Sequence, residues 1–313
     1  MSTSTAGWED TSALLSRIAG LTTAINTPLT AAGELDVPGL ERLIDRVIDG
    51  GGSCIFPLGW NGEGPLLKDQ LRISVIRQTC HIVRGRVPVM VGVSEQSLPR
   101  TLEMIEVARS AGASSVLSTP PYGYAIPQEL IHEYFRALAG TAGLPVVIYD
   151  NSEVSVRPDF ETLTRLSSIP GIIGVKSYAP WQEVQRQFQT INVPGRFAII
   201  SGDEYFYGPA LGIGVSHFTL GGPGNVCPGW CTSMHQAALA HKWDQVFSMH
   251  LRLTAFCDAL YKEAETPYAA IKYALEVLGI CSAFISSPHR IPGEHHQERI
   301  RLALSNFQDV VNA

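Results

Sequence analysis

Short apolar runs rich in β-branched residues recur along the chain, each followed by a Gly-, Pro- or Asn-rich break and then a stretch of helical period. The runs at residues 21–27, 54–58, 87–93, 115–118, 146–149, 172–176, 197–201 and 215–219 read as eight strands. Between them lie amphipathic helices. Over residues 37–48, Leu40, Leu43, Ile44, Val47 and Ile48 share one face, and over 101–111 Leu102, Ile105 and Ala108 do the same. Strands that alternate with helices run parallel, because each helix carries the chain back across the sheet. Eight such units in roughly 210 residues predict an α/β fold of the (β/α)8 TIM-barrel type. An open doubly wound sheet fits less well, since residues 23–28 lead into a loop without the Gly-x-Gly of a dinucleotide site.

Beyond residue 219 the pattern turns helical, over residues 229–241, 243–262, 267–278 and 294–307. The expected organisation is a flexible N-terminal tail (1–15), a barrel (16–241) and C-terminal helices packed on it (242–313). No apolar run approaches the ~20 residues that span a bilayer, so no membrane role is expected. The 313 residues are 45% hydrophobic and carry 23 basic against 29 acidic side chains, without a Lys/Arg-rich run. Neither sign nor clustering suits nucleic acid. Six cysteines and the absence of a signal peptide point to the cytoplasm. Cys227 and Cys231 stand four apart, with no second close pair or His cluster, so packed thiols are expected there and not zinc.

Only five lysines occur, at 68, 176, 242, 262 and 272, against eighteen arginines. Four sit in or beside polar helical surroundings and read as solvated amines. Lys176 instead ends Gly171-Ile172-Ile173-Gly174-Val175-Lys176, which places it at the C-terminal mouth of the barrel, where such folds assemble their chemistry. Desolvation there favours the neutral amine, a nucleophile toward carbonyls and the requirement for Schiff-base catalysis. A structural ion pair with a carboxylate such as Asp203 is the alternative. Tyr149 ends the neighbouring strand and reaches the same mouth, where its phenol could move protons to and from an imine.

After the second strand, Gly59-Trp60-Asn61-Gly62-Glu63-Gly64 can bring backbone N–H groups and the Asn61 amide close to a carboxylate, unless it is a plain turn. Gly221-Gly222-Pro223-Gly224-Asn225 could cradle a phosphate or simply turn into the next helix. Of nine histidines only His217 lies in a predicted strand, as a packed or rim residue, so no metal site is expected.

In this order these segments resemble the dihydrodipicolinate synthase and N-acetylneuraminate lyase family of Schiff-base (β/α)8 enzymes, from about Thr23 to Leu278. The resemblance is carried by Thr23-Ala24-Ile25-Asn26-Thr27-Pro28, Gly59-Trp60-Asn61-Gly62-Glu63, Thr119-Pro120-Pro121-Tyr122, Tyr149, Gly174-Val175-Lys176, Ser201-Gly202-Asp203-Glu204 and Pro267 with Lys272-Tyr273-Ala274-Leu275. It implies that Lys176 forms an imine with pyruvate or a related 2-oxo acid, with no cofactor beyond that covalent imine. Tyr149 would relay protons, and the loop at Gly59, Trp60, Asn61, Gly62 and Glu63 would bind the carboxylate, with Phe218 as a further substrate-binding position. Tyr122 matches a tyrosine that enters the neighbouring subunit's site, implying a homo-oligomer, a dimer of dimers.

Two departures stand out. Trp60 and Asn61 occupy positions where the family carries hydroxyl residues, and an indole only donates. Tyr149 is followed by Asp150-Asn151-Ser152-Glu153-Val154-Ser155, without the Asn-x-Pro and arginine that grip the second substrate's carboxylate in dihydrodipicolinate synthases. The expectation is therefore a Schiff-base lyase of a 2-oxo acid outside lysine biosynthesis. A dehydratase or decarboxylating dehydratase of a deoxy-sugar 2-oxo acid, using the same imine, is the second reading; a barrel that binds a metabolite without turnover is the third.

Overall fold

Buried on both faces, the apolar runs pair side by side and in parallel, as the eight strands β1 (Gly20–Ala24), β2 (Cys54–Phe56), β3 (Met90–Gly92), β4 (Ser115–Ser118), β5 (Val146–Asp150), β6 (Ile172–Ser177), β7 (Ala198–Ser201) and β8 (His217–Leu220). The structure is a computed structural model that describes residues 10–262 and 264–313. Strand order is β2-β1-β8-β7-β6-β5-β4-β3, and a parallel bridge between Ile55 and Val89 joins the two edges into a closed barrel. The expected fold is thus the observed one.

Alternation along the strands sends one set of side chains inward and one outward. Phe56, Met90, Leu117, Val147, Ile173 and Ile200 belong to the cluster that fills the barrel. Ile55, Val91, Val116, Ile148, Val175 and Ile199 join the larger layer beneath the helices. Between β5 and β6 the register shifts, Val146 pairing with Ile172 but Val147 with Gly174. That skipped residue brings Lys176 opposite Tyr149.

The helix Thr11–Ile18 takes in residues 11–15, which the sequence assigns to a flexible tail. Its Leu14, Leu15 and Ile18 pack into the barrel-filling cluster. Residues 1–9 of that expected tail lie outside the described residues. At the same end His217 begins β8, its Nε2 2.9 Å from the Leu15 carbonyl oxygen. It is a histidine packed against the helix Thr11–Ile18 at the start of β8.

After the helix Pro228–Leu239, the helices Trp243–Tyr261, Pro267–Val277 and Glu294–Asn306 fold back over the barrel. Thr266 caps the second of these by accepting from the Ala269 N–H, and Pro267 suits its first turn. Lys68, Lys242 and Lys262 are exposed as expected, but Lys272 is not: its side chain is fully buried. All six cysteines are free thiols. Among the described residues no helix is long and apolar enough to cross a membrane.

Candidate active site

The C-terminal ends of β1, β5 and β6, with the loops after β2, β7 and β8, enclose a cavity of ≈ 310 Å³ roofed by the C-terminal helices. Lys176 points into it while only 7% exposed. Its Nζ lies 4.1 Å from the centre of the Tyr149 ring and 5.3 Å from that of Phe56. Among the described residues no hydrogen bond or ion pair engages this amine. Gly202, at the end of β7, makes room for it, since a Cβ there would stand 3.2 Å from Lys176 Cε. Burial lowers the amine's pKa from 10.5 to about 7, against an opposing pull from the Glu204 carboxylate. Asp203, named as a possible ion-pair partner, instead accepts from the Tyr205 N–H. About half of the amine is therefore free base at pH 7, and more above it.

Tyr149 is 5% exposed, and its hydroxyl accepts a hydrogen bond from Asn151 Nδ2 at 3.0 Å. Burial pushes the phenol's pKa well above its ordinary range, so it keeps its proton. Trp60 stands edge-on to both Tyr149 (centroids 5.8 Å apart) and Tyr122 (6.3 Å). Trp60 lines the cavity and Tyr122 does not. Where the resemblance leads one to expect a hydroxyl beside the catalytic tyrosine, an indole separates the two phenols.

The loop after β2 divides in its roles. Asn61 faces the cavity beside Trp60, with its carbonyl oxygen held by Asn26 Nδ2 at 3.0 Å. Gly59, Gly62 and Glu63 do not line the cavity. Glu63, in left-handed conformation at φ 58, turns away: its Oε1 pairs with Lys272 Nζ at 2.6 Å and its Oε2 accepts from the Ser286 N–H at 2.7 Å. Its own N–H is spent on the Trp60 carbonyl. Gly59 and Gly62 serve close packing, since a Cβ would meet the Phe56 ring at 2.9 Å or the Ile25 carbonyl oxygen at 2.9 Å. The expectation of Glu63 as a substrate ligand gives way to a buried strap between this loop and the C-terminal helices. Phe218 is likewise displaced. It is fully buried on the outer face of β8, its ring 4.4 Å from that of Tyr207, where the alternation of the strand sends it.

The segment after β8 is a short helix, Gly222–Val226, and not an open cradle. Asn225 accepts from the Asn26 N–H and donates to the Ala24 and Gly221 carbonyl oxygens, tying β1 to β8. Gly221 and Gly222 face the cavity because larger residues would strike Asn61 Nδ2 and the Tyr261 hydroxyl.

Several cavity residues lie beyond the sequence-based expectations. Asn151 and Tyr178 each follow an inward residue by two, the spacing that keeps side chains on one side of a strand. Glu204 ends the Ser201-Gly202-Asp203-Glu204 segment; its Oε1 accepts a hydrogen bond from the Tyr261 hydroxyl at 2.9 Å, and burial raises its pKa. Tyr261 and Tyr268 come from the C-terminal helices, far along the chain, and no local signal marks them. Among the described residues no group of three His, Cys, Asp or Glu could hold a metal ion.

Comparison with known proteins agrees with this geometry. Residues 17–306 match the Dihydrodipicolinate synthetase family. A 4-hydroxy-tetrahydrodipicolinate synthase of Leptothrix cholodnii is 32% identical over 290 residues, covering 90% of this chain and 94% of that protein. The crystal structure of dihydrodipicolinate synthase from Bacteroides thetaiotaomicron superposes with a TM-score of 0.86 at 29% identity, covering 92% and 98% of the two chains. A chloride-inhibited dihydrodipicolinate synthase of Acinetobacter baumannii, solved with pyruvate, shares the fold at a TM-score of 0.86 and 24% identity over 93% and 99%. The chain belongs to the dihydrodipicolinate synthetase family, whose members are lyases of the class I, Schiff-base aldolase type.

Proposed function

We propose that this chain joins or cleaves a carbon–carbon bond beside the keto group of pyruvate or a related 2-oxo acid, through an imine on Lys176. The observation that carries the proposal is one buried amine, without a hydrogen-bonding partner among the described residues, directed into a cavity against the face of Tyr149. The amine attacks the keto carbon, whose oxygen leaves as water, and the C=N⁺ bond withdraws electrons from the neighbouring carbon. Loss of a proton there gives an enamine, which adds to an aldehyde; in the reverse direction the same bond breaks and the aldehyde departs. Hydrolysis returns the free lysine.

Tyr149 is assigned the acid–base role, with Asn151 orienting its hydroxyl. Asn61, the polar side chain of this loop that lines the cavity, is assigned to hold the 2-oxo acid's carboxylate. The second substrate of dihydrodipicolinate synthases is not assigned to this chain. The arginine nearest in sequence after Tyr149, Arg157, is bound by Asp150 at 3.0 Å and Glu183 at 2.8 Å and is absent from the cavity lining. The buried carboxyl of Glu204, with its raised pKa, supports a second reading: protonation of a leaving hydroxyl, and hence dehydration of a sugar-derived 2-oxo acid through the same imine.

We further propose a homo-oligomer in the cytoplasm, at least a dimer, in which Tyr122 completes the neighbouring subunit's site. Tyr124, two residues on and 82% exposed, is an aromatic suited to such a contact, and the six free thiols suit a reducing compartment. Incubation with pyruvate and borohydride followed by peptide mapping tests the imine: a reduced adduct on Lys176 is expected, and an unmodified Lys176 contradicts the assignment. Product analysis separates the two reactions, an aldehyde released or consumed in the first, water lost in the second.

A further inference from the structure

Among the described residues, the cavity lining contains no lysine, arginine or histidine beyond Lys176. It contains two carboxyl groups, Glu153 and Glu204, on opposite flanks, one from the loop after β5 and one from the loop after β7. Four tyrosines besides Tyr149, namely Tyr178, Tyr205, Tyr261 and Tyr268, line the cavity as well. Asp203 adds its charge from just outside, acting with Glu204 and Glu153 on the Tyr178 phenol. Glu204 and the Lys176 amine act on each other electrostatically, and the His289 ring stands 5.7 Å from that of Tyr268, outside the lining. Glu204 is bound by a phenol, and Arg157, the closest guanidinium in sequence to Glu153, is committed to Asp150 and Glu183. That a ligand belongs here is indicated independently by the nine-tenths buried, unpartnered Lys176 amine directed into the same space.

An anionic group would therefore meet two carboxyl groups, part-buried Glu204 and Glu153 on the exposed rim, with Lys176 as the one basic side chain among the described lining residues. Tyrosine rings beside carboxyl groups form an environment that attracts an ammonium group, and a bound cation would in turn favour the ionised form of Glu204. With the 2-oxo acid's carboxylate placed at Asn61, the remaining volume is electronegative and aromatic.

We propose that the carbonyl partner joined to or released from the 2-oxo acid carries a cationic ammonium tail seated among Tyr178, Tyr261 and Tyr268 between Glu153 and Glu204, and that partners bearing a second carboxylate or a phosphate are rejected. This rests on the imine reading above for its reaction, but the charge preference is a property of the cavity and is measurable apart from it.

Three aldehydes of similar size separate the possibilities: betaine aldehyde, its uncharged carbon isostere 3,3-dimethylbutanal, and succinic semialdehyde. With pyruvate as co-substrate, kcat/KM is expected to fall in that order, by about tenfold between cation and isostere. Glu153→Gln/Glu204→Gln should collapse that ratio toward one, a readout independent of any general loss of activity. Succinic semialdehyde matching or exceeding the isostere, or a ratio unchanged in the double variant, overturns the proposal. If pyruvate leaves Lys176 unmodified under borohydride, the imine reading falls by itself. Calorimetric titration then still decides the charge preference: tighter binding of betaine aldehyde than of 3,3-dimethylbutanal supports it, and equal or weaker binding overturns it.

Discussion

At residue 176 the chain forces a cationic side chain into a site that favours its neutral form, and chemistry follows from that conflict. Burial shifts the amine to about 7, so the fraction present as free base rises as pH climbs through neutrality, not near the ordinary 10.5. The rate of adduct formation with pyruvate should therefore increase with pH and level off above about 8; a rate that keeps climbing toward pH 10 would show an ordinary, solvated lysine. Tyr149 acts after the imine has formed. Tyr149→Phe should still be trapped by borohydride but lose ~10²–10⁴-fold in kcat, and an unchanged kcat would assign the proton transfers elsewhere. The position of both residues was legible in the sequence because each closes an apolar run, one residue short of the strand's C-terminal end, and alternation turns it inward at the mouth. Phe218 was misassigned for the converse reason: it lies mid-strand, and alternation turns it outward.

At the level of elements, the strands were legible and their ends less so. The run at 21–27 stops being strand after Ala24, because the Asn26 N–H is drawn to Asn225 Oδ1, away from the ladder. The run at 87–93 contains Pro88, which has no N–H to give a neighbour, and the strand begins at Met90. The strap between the loop after β2 and the helix Pro267–Val277 could not be foreseen, since Glu63 and Lys272 meet only through the tertiary fold. A lone lysine inside the apolar run 269–275 was a signal of burial all the same. Their side chains are 1% and 0% exposed, and Lys272 Nζ also donates to the Phe284 carbonyl oxygen at 2.7 Å. Glu63→Gln leaves a buried ammonium without its counter-charge and should cost ~3–5 kcal/mol in urea unfolding, partly recovered by adding Lys272→Met. A loss below about 1 kcal/mol would reduce the strap to the value of a surface pair.

For the whole molecule, the alternation of strand and helix specifies the barrel, and the barrel specifies where chemistry sits. The order of short motifs then pointed to the family. What the alternation does not specify is the wall opposite Lys176: Tyr261 and Tyr268 arrive from helices outside the repeating pattern, and with them the cavity's aromatic, acidic character. Assembly belongs to this scale as well. Sedimentation equilibrium should return at least twice the 33.9 kDa chain mass, and a chain that stays monomeric while fully active would exclude a contribution of Tyr122 in trans. The central claim, a neutral amine aimed at a ketone, is tested most directly by a crystal structure after soaking with pyruvate. The account predicts continuous density from Lys176 Nζ to the second carbon of pyruvate, with the carboxylate against Asn61. An unmodified Lys176 beside bound pyruvate, or an adduct on another lysine, would contradict it.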